Sequence, residues 1–164
     1  MTDDGDQRFE EFVASRYGAL VRAAFVLTGD RGLAEDLVQS ALLRSYPAWR
    51  HGGPESPEAY VRTVMVRLAL RWRRRKLTGE VPTAVLPEVT TGDPSVDLQL
   101  SLRDALSTLS VDHRAVLVLR HLAGMSEAET AQVLKCSVGT VKSRNSRALA
   151  ALRSSGLLDE REDV

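Results

Sequence analysis

A single cysteine, Cys136, stands in 164 residues, which excludes an internal disulfide and any cysteine-based metal site. The three histidines, His51, His113 and His121, have no carboxylate or cysteine partners at ligand spacing, and no glycine-rich phosphate loop is present. Neither enzyme chemistry nor a cofactor is therefore expected. Aromatic residues make up only 5%, and Leu, Val and Ala supply most of an apolar content of 43%. With few runs of alternating β-branched residues, that balance favours helices. No apolar stretch approaches the ~18–20 residues that cross a bilayer. The opening residues are acidic and lack the basic-then-apolar pattern of an export signal. A cytoplasmic protein without direct membrane binding is the expectation.

Net charge is also lacking: 22 basic residues balance 22 acidic ones. Its distribution is uneven, however. Arg62, Arg67, Arg71, Arg73, Arg74, Arg75 and Lys76 occupy one acid-free stretch, and Lys135, Lys142, Arg144, Arg147 and Arg153 another. The acids gather at the two ends and in the middle. Two local cationic surfaces on a neutral chain predict contact with a polyanion.

Apolar residues recur at helical spacing from Phe9 to Phe25, ending near Gly29. Asp30 is placed to cap a second helix carrying Leu33, Leu37, Val38, Ala41, Leu42 and Tyr46, which Pro47 should end. The loop from His51 to Ser56 precedes a third helix with Pro57 in its first turn. There Val61, Val64, Met65, Leu68 and Trp72 form a core-facing stripe. Tyr60, Thr63, Arg67, Arg71 and Arg74 share an adjoining face suited to phosphate contact and base stacking. Periodicity lapses from Thr78 to Val96, where Gly and Pro recur, so residues 78–96 are expected to be a flexible linker. Beyond it lie a helix with Leu98, Leu102 and Leu106, and a second from Val111 to Leu122, capped by Ser110. A short third opens on the capping box Ser126/Glu129, and a fourth starts after Ser137.

Short helix, three-residue turn, longer helix is the helix-turn-helix plan. With Val141 inward beside Leu134 and Val138, the residues Gly139, Lys142, Ser143, Ser146 and Arg147 face outward and Thr140 and Arg144 lie on the flank. That face is small, hydroxylic or cationic, and fit to enter a major groove. Lys135 occupies the turn position at which a left-handed glycine is common.

The stretch from Leu109 to Leu152, above all SVGTVKSR (Ser137 to Arg144), resembles region four of the extracytoplasmic-function (ECF) sigma factors. The first half, with GDRGLAEDLVQSALLRSYPAW from Gly29 to Trp49 and the arginine-ending helix from Tyr60 to Lys76, looks like region two. The phrase CSVGTVKSRNSRALAAL also resembles an actinobacterial subgroup. The resemblance implies an all-α protein of two small domains, a region-two helical bundle over 1–77 and a region-four helix-turn-helix domain over 97–155, joined by the linker. A short acidic tail over 156–164 would follow, without a further regulatory domain. It implies a sigma factor that binds core RNA polymerase and directs promoter recognition, DNA melting and transcription initiation. Glu35, Asp36, Leu37 and Gln39 would dock on the clamp helices of the polymerase largest subunit. His51, Ser56, Tyr60, Thr63, Arg67, Arg71 and Arg74 would take the downstream (minus ten) element. Thr140, Lys142, Ser143, Arg144 and Arg147 would take the upstream (minus thirty-five) element. Promoter DNA and core polymerase are the expected partners, and an anti-sigma factor a further one. Arg67 and Arg71 stand where many family members carry Asn and Asp. A stand-alone helix-turn-helix regulator would share the second half but would need neither the DLVQ segment nor the second basic helix.

Overall fold

The computed structural model describes residues 3–77 and 94–158, and no strand occurs among them. Helix α1 (Asp4–Thr28) and α2 (Arg31–Arg50) form a hairpin, and α3 (Pro57–Leu77) completes a three-helix unit. The second half contains α4 (Pro94–Ser107), α5 (Val111–Leu117) continued by a π-helical turn (Val118–Leu122), α6 (Glu127–Leu134) and α7 (Val138–Ser154). The expected linker falls mostly on residues outside the described ones, and its last three residues, 94–96, open α4 instead.

Local chemistry sets the boundaries. Gly29 stops α1 in the left-handed conformation at φ 68°, and the Asp30 carboxylate accepts from the Leu33 N–H at 2.8 Å to start α2. Helix α2 does not end at Pro47 but runs to Arg50. Proline forfeits one hydrogen bond, yet Trp49, almost fully buried, meets Phe9 and Phe12 with ring centroids 5.0 and 5.2 Å away and anchors the last turn. The phenol of Tyr46, one turn earlier, donates to Asp6 of α1, and this hydrogen bond raises its pKa. Gly5 permits the close approach: a Cβ there would lie 2.7 Å from the Trp49 carbonyl oxygen.

Val61, Met65 and Leu68 of α3 are buried with Leu20, Leu37, Val38 and Ala41, and Val64 and Trp72 pack at the margin, as the stripe predicts. The buried arc is wider than that stripe and takes in Val66, Ala69 and Arg62. The two halves are not independent bodies. Val111, Ala115, Val118 and Leu119 enter the same core as the three-helix unit. Smaller clusters, Leu106, Leu109, Leu117 and Ala148, and Val116, Ala131 and Val141, hold α4, α6 and α7 around α5.

Candidate nucleic-acid interface

Five of the six α3 arginines fall into two groups. Arg67, Arg71 and Arg74 are exposed, with Tyr60 at the head of the same face 41% exposed. The Thr63 hydroxyl donates to the Ala59 carbonyl at 2.9 Å and lies at the face's edge. The loop before α3 holds His51 and Ser56 at the surface. Arg8 donates to the Gly52 carbonyl at 3.2 Å, and Gly53 N–H to Ala48 at 3.0 Å, so α1 and α2 fix the loop beside Tyr60. A stacking ring, hydroxyls and three cations thus share one continuous surface.

Arg62 and Arg73 do not belong to it, which corrects the reading of the whole arginine run as a DNA surface. Arg62 is buried: its Nη2 pairs with Glu58 at 2.8 Å, and its Nη1 donates to the Leu122 carbonyl of the π-turn. Burial lowers its pKa, with nearby Arg16 and Arg22 acting in the same direction. Arg73 pairs with Asp112 at the start of α5.

The helix-turn-helix forms as its sequence predicts. Ser126 accepts from Glu129 N–H at 3.1 Å while the Glu129 carboxylate accepts from Ser126 N–H at 2.8 Å, the reciprocal cap of α6. Lys135 ends α6 at φ 53°, a left-handed position normally costly for a residue with a Cβ. Ser137 accepts from Thr140 N–H at 3.1 Å and opens α7. Val141 and Ala131 are buried where α6 meets α7, and Cys136 packs at the edge of that cluster. Val138, expected in this small core, is instead 39% exposed, because Val116 of α5 fills the interior. Gly139, Lys142, Ser143, Ser146 and Arg147 are exposed, with Thr140 and Arg144 partly so. The first turn of α7 has no acid to oppose a phosphate at its positive end. One hydrogen bond ties the π-turn to this helix: His121 Nε2–H donates to Asn145 Oδ1 at 2.8 Å. At the start of α5, His113 is hydrogen-bonded to Ser110 Oγ at 2.6 Å. Burial, then Arg144 and Arg147, holds His113 below its usual pKa.

A third surface lies on α2. Asp36 and Gln39 are exposed, and Glu35 pairs with Arg31 at 3.5 Å. Leu37 is fully buried in the core, so the expectation that it touches a partner is overturned. On a helix it projects about 160° away from Gln39. The apolar member of this face is Leu43, which is 78% exposed and lies within about 100° of Glu35, Asp36 and Gln39 around the helix. Sequence reasoning missed it, although the same helical wheel places it there.

Comparison with known proteins adds a second line of evidence. The family model for sigma-70 region 2 matches residues 12–77, and that for sigma-70 region 4 matches residues 99–152. The RNA polymerase sigma-E factor of Streptomyces avermitilis is 43% identical over 149 residues, covering 88% of this chain and 83% of its own length. The ECF RNA polymerase sigma factor SigL of Mycobacterium tuberculosis is 39% identical over 146 residues, covering 82% and 80%. Among solved structures, the sigma factor RpoE of Bartonella quintana, in complex with the anti-sigma factor NepR, superposes with a TM-score of 0.65. Its identity is 27%, with coverage of 94% of this chain and 99% of that one. CnrH, in complex with the cytosolic domain of CnrY, gives a TM-score of 0.59 at 25% identity, with coverage of 92% and 88%.

Proposed function

This chain belongs to the ECF class of bacterial RNA polymerase sigma factors, and we propose that its three exposed faces divide the work of initiation among them. It binds core RNA polymerase and promoter DNA, and directs promoter recognition and transcription initiation. The observation that carries the division is the presence on one chain of a cationic face on α3, an acid-free face on α7 and an outward face of mixed character on α2.

Glu35, Asp36, Gln39 and Leu43 form the polymerase-docking face, a mix of charge and one apolar anchor that suits the clamp helices of the largest subunit. His51, Ser56, Tyr60, Thr63, Arg67, Arg71 and Arg74 take the downstream element and hold it melted. Extruding a base costs a few kcal/mol, and stacking on an aromatic ring returns about 1–3 kcal/mol. One stacked base with phosphate contacts from the arginines therefore offsets the cost of extruding that base. Arg67 and Arg71, where many relatives carry Asn and Asp, shift the balance there from base reading to phosphate contact. Thr140, Lys142, Ser143, Arg144 and Arg147 take the upstream element. The chain acts by binding, without a catalytic step or cofactor, in the cytoplasm where the polymerase is. An anti-sigma factor is a further partner: RpoE and CnrH were each solved with a protein bound. A groove of about 650 Å³, lined by Val26, Leu102, Leu106, Leu117, Leu149 and Leu152, offers an apolar seat for a helix.

The test is co-elution of the purified chain with sigma-free core polymerase from an actinobacterium, followed by promoter selection and run-off transcription. A stable, transcribing complex is expected. DNA binding without any complex would replace this reading with that of a stand-alone regulator.

A further inference from the structure

We propose that Arg8 of α1 is a positioning residue for promoter opening: it grips the peptide between Gly52 and Gly53 and so sets the loop from His51 to Ser56 in its base-capturing shape before DNA arrives. The proposal rests on the reading of that loop as part of the seat of the downstream element.

Two consecutive glycines, Gly52 at φ 100° and Gly53 at φ 82°, carry the chain from α2 to α3 through backbone conformations that residues with a side chain rarely adopt. Glycine also loses more conformational freedom on ordering than any other residue, so a loop built on such a pair is costly to hold in one shape. The fold holds it from two directions. Gly53 N–H donates to the Ala48 carbonyl of α2 at 3.0 Å, and Arg8 Nη1 of α1 donates to the Gly52 carbonyl at 3.2 Å. That N–H and that carbonyl belong to one planar peptide unit. Rotating the unit would break both bonds together, so the pair fixes its orientation as neither bond would alone.

The mounting of Arg8 suits this task. Its neighbour Phe9 packs against Tyr46 and Trp49 with ring centroids 5.0 Å away, and Gly5 lets the same stretch of α1 close on the Trp49 carbonyl. Arg8 Nε donates to the Asp4 carbonyl at 3.3 Å and pairs with the Asp4 carboxylate at 3.2 Å, while Nη1 serves the loop. Asp4 also balances the charge of Arg8. The residue therefore acts through the shape of the loop rather than by attracting phosphate. Its influence reaches forward, because only Gly53, Pro54, Glu55 and Ser56 separate Gly52 from α3. Pro54 has a fixed φ, and the Ser56 carbonyl accepts from Tyr60 N–H at 2.9 Å, so the stacking ring is set from the same anchor. A loop ordered in advance loses none of the stacking energy to its own ordering when a base enters.

The test compares holoenzymes carrying wild type, Asp4→Ala with Arg8→Ala, and Gly53→Ala. The first variant removes the grip without changing net charge. The second keeps Arg8 but places a methyl group 3.8 Å from its Nη1, at a left-handed position. Each binds fork-junction DNA whose downstream element is single-stranded, intact or with an abasic site at each position of that element in turn. Wild type should show an abasic penalty where a base is captured. In both variants that penalty should shrink by roughly three- to tenfold, the worth of one hydrogen bond. Core affinity, helicity and the salt slope should keep their wild-type values. A full wild-type penalty in either variant would overturn the proposal. So would a salt slope lowered by about one in the Asp4→Ala/Arg8→Ala protein, which would make Arg8 a phosphate contact instead. If that protein loses helicity, Gly53→Ala decides the matter. A wild type with no abasic penalty at any position would defeat the base-capture reading itself, and the role of Arg8 with it.

Discussion

Leu43 offers the sharpest separation between docking and folding. It is 78% exposed on the outer face of α2, whereas Leu37, on the same helix, is fully buried. Burying a whole leucine side chain contributes about 1.5–3 kcal/mol. Covering the exposed four-fifths of Leu43 in a polymerase interface should then contribute about 1.2–2.3 kcal/mol. Since 1.4 kcal/mol is a factor of ten, Leu43→Ser should weaken core binding by roughly seven- to fiftyfold. Its melting temperature should stay within about 2 °C, because surface substitutions rarely exceed 0.5 kcal/mol. Leu37→Ala should do the reverse, removing roughly 2–5 kcal/mol of stability by leaving a cavity. Its affinity for core, measured well below the melting point, should change little. The assay is core titration by fluorescence anisotropy alongside thermal and urea denaturation of each variant. Unchanged core affinity in a folded Leu43→Ser protein would refute the placement of the docking face.

Other outcomes follow from the same surfaces. Arg147→Ala should reduce holoenzyme affinity for promoters carrying the upstream element by roughly 1–3 kcal/mol if it reads a base, or lower the salt slope by about one if it holds a phosphate. Core binding should be intact, and its loss would contradict the assignment. Lys135→Gly should raise stability by about 0.5–1 kcal/mol, because glycine relieves the left-handed turn at φ 53°. For a chain of this size that is a gain of roughly 1–4 °C, and a fall in melting temperature would show the lysine side chain to be needed there. His113 has its pKa lowered in the folded chain by burial and by Arg144 and Arg147, with Asp112 opposing. The unfolded chain therefore takes up the proton first, near pH 6.5. Wild type should lose stability relative to His113→Gln as pH falls from about 7.5 through 6.5 and below. Parallel urea midpoints across that range would refute the cause.

Much of this molecule was legible because its signals are local. Asp30, Ser110, Ser126 and Ser137 cap the helices their sequence positions imply, and the outward residues of α7 follow from the helical period alone. What escaped depends on contacts across the chain. Pro47 reads as a stop until Trp49 is seen wedged against Phe9 and Phe12 of α1. Val138 reads as core until Val116, from a different helix, takes the interior. Arg62 reads as one more cation in a run, since nothing in its neighbourhood of sequence announces a carbonyl sixty residues away. The π-turn is equally silent, because Val118 to Leu122 fits an ordinary α-helix. Leu37 is a different case: its burial was readable on the helical wheel, but the resemblance drew attention to the motif rather than to its faces.

The balance of charge acquires a purpose once the arginines are sorted by what they touch. A chain with net positive charge would bind DNA wherever it met it, through phosphate contacts that carry no sequence information. Here 22 acidic residues cancel 22 basic ones, and two of the α3 arginines are engaged within the protein. The outward cations on the two proposed DNA faces form two small sets, Arg67, Arg71 and Arg74 on one half and Lys142, Arg144 and Arg147 on the other. Either set alone supports only weak, salt-sensitive attraction. Their strength comes from simultaneous engagement, because a second contact on a tethered partner is intramolecular and gains 10²–10⁴ in avidity without new contacts. Promoter selectivity is then a property of the assembled complex, and the free chain is kept from spending its few cations on the rest of the genome.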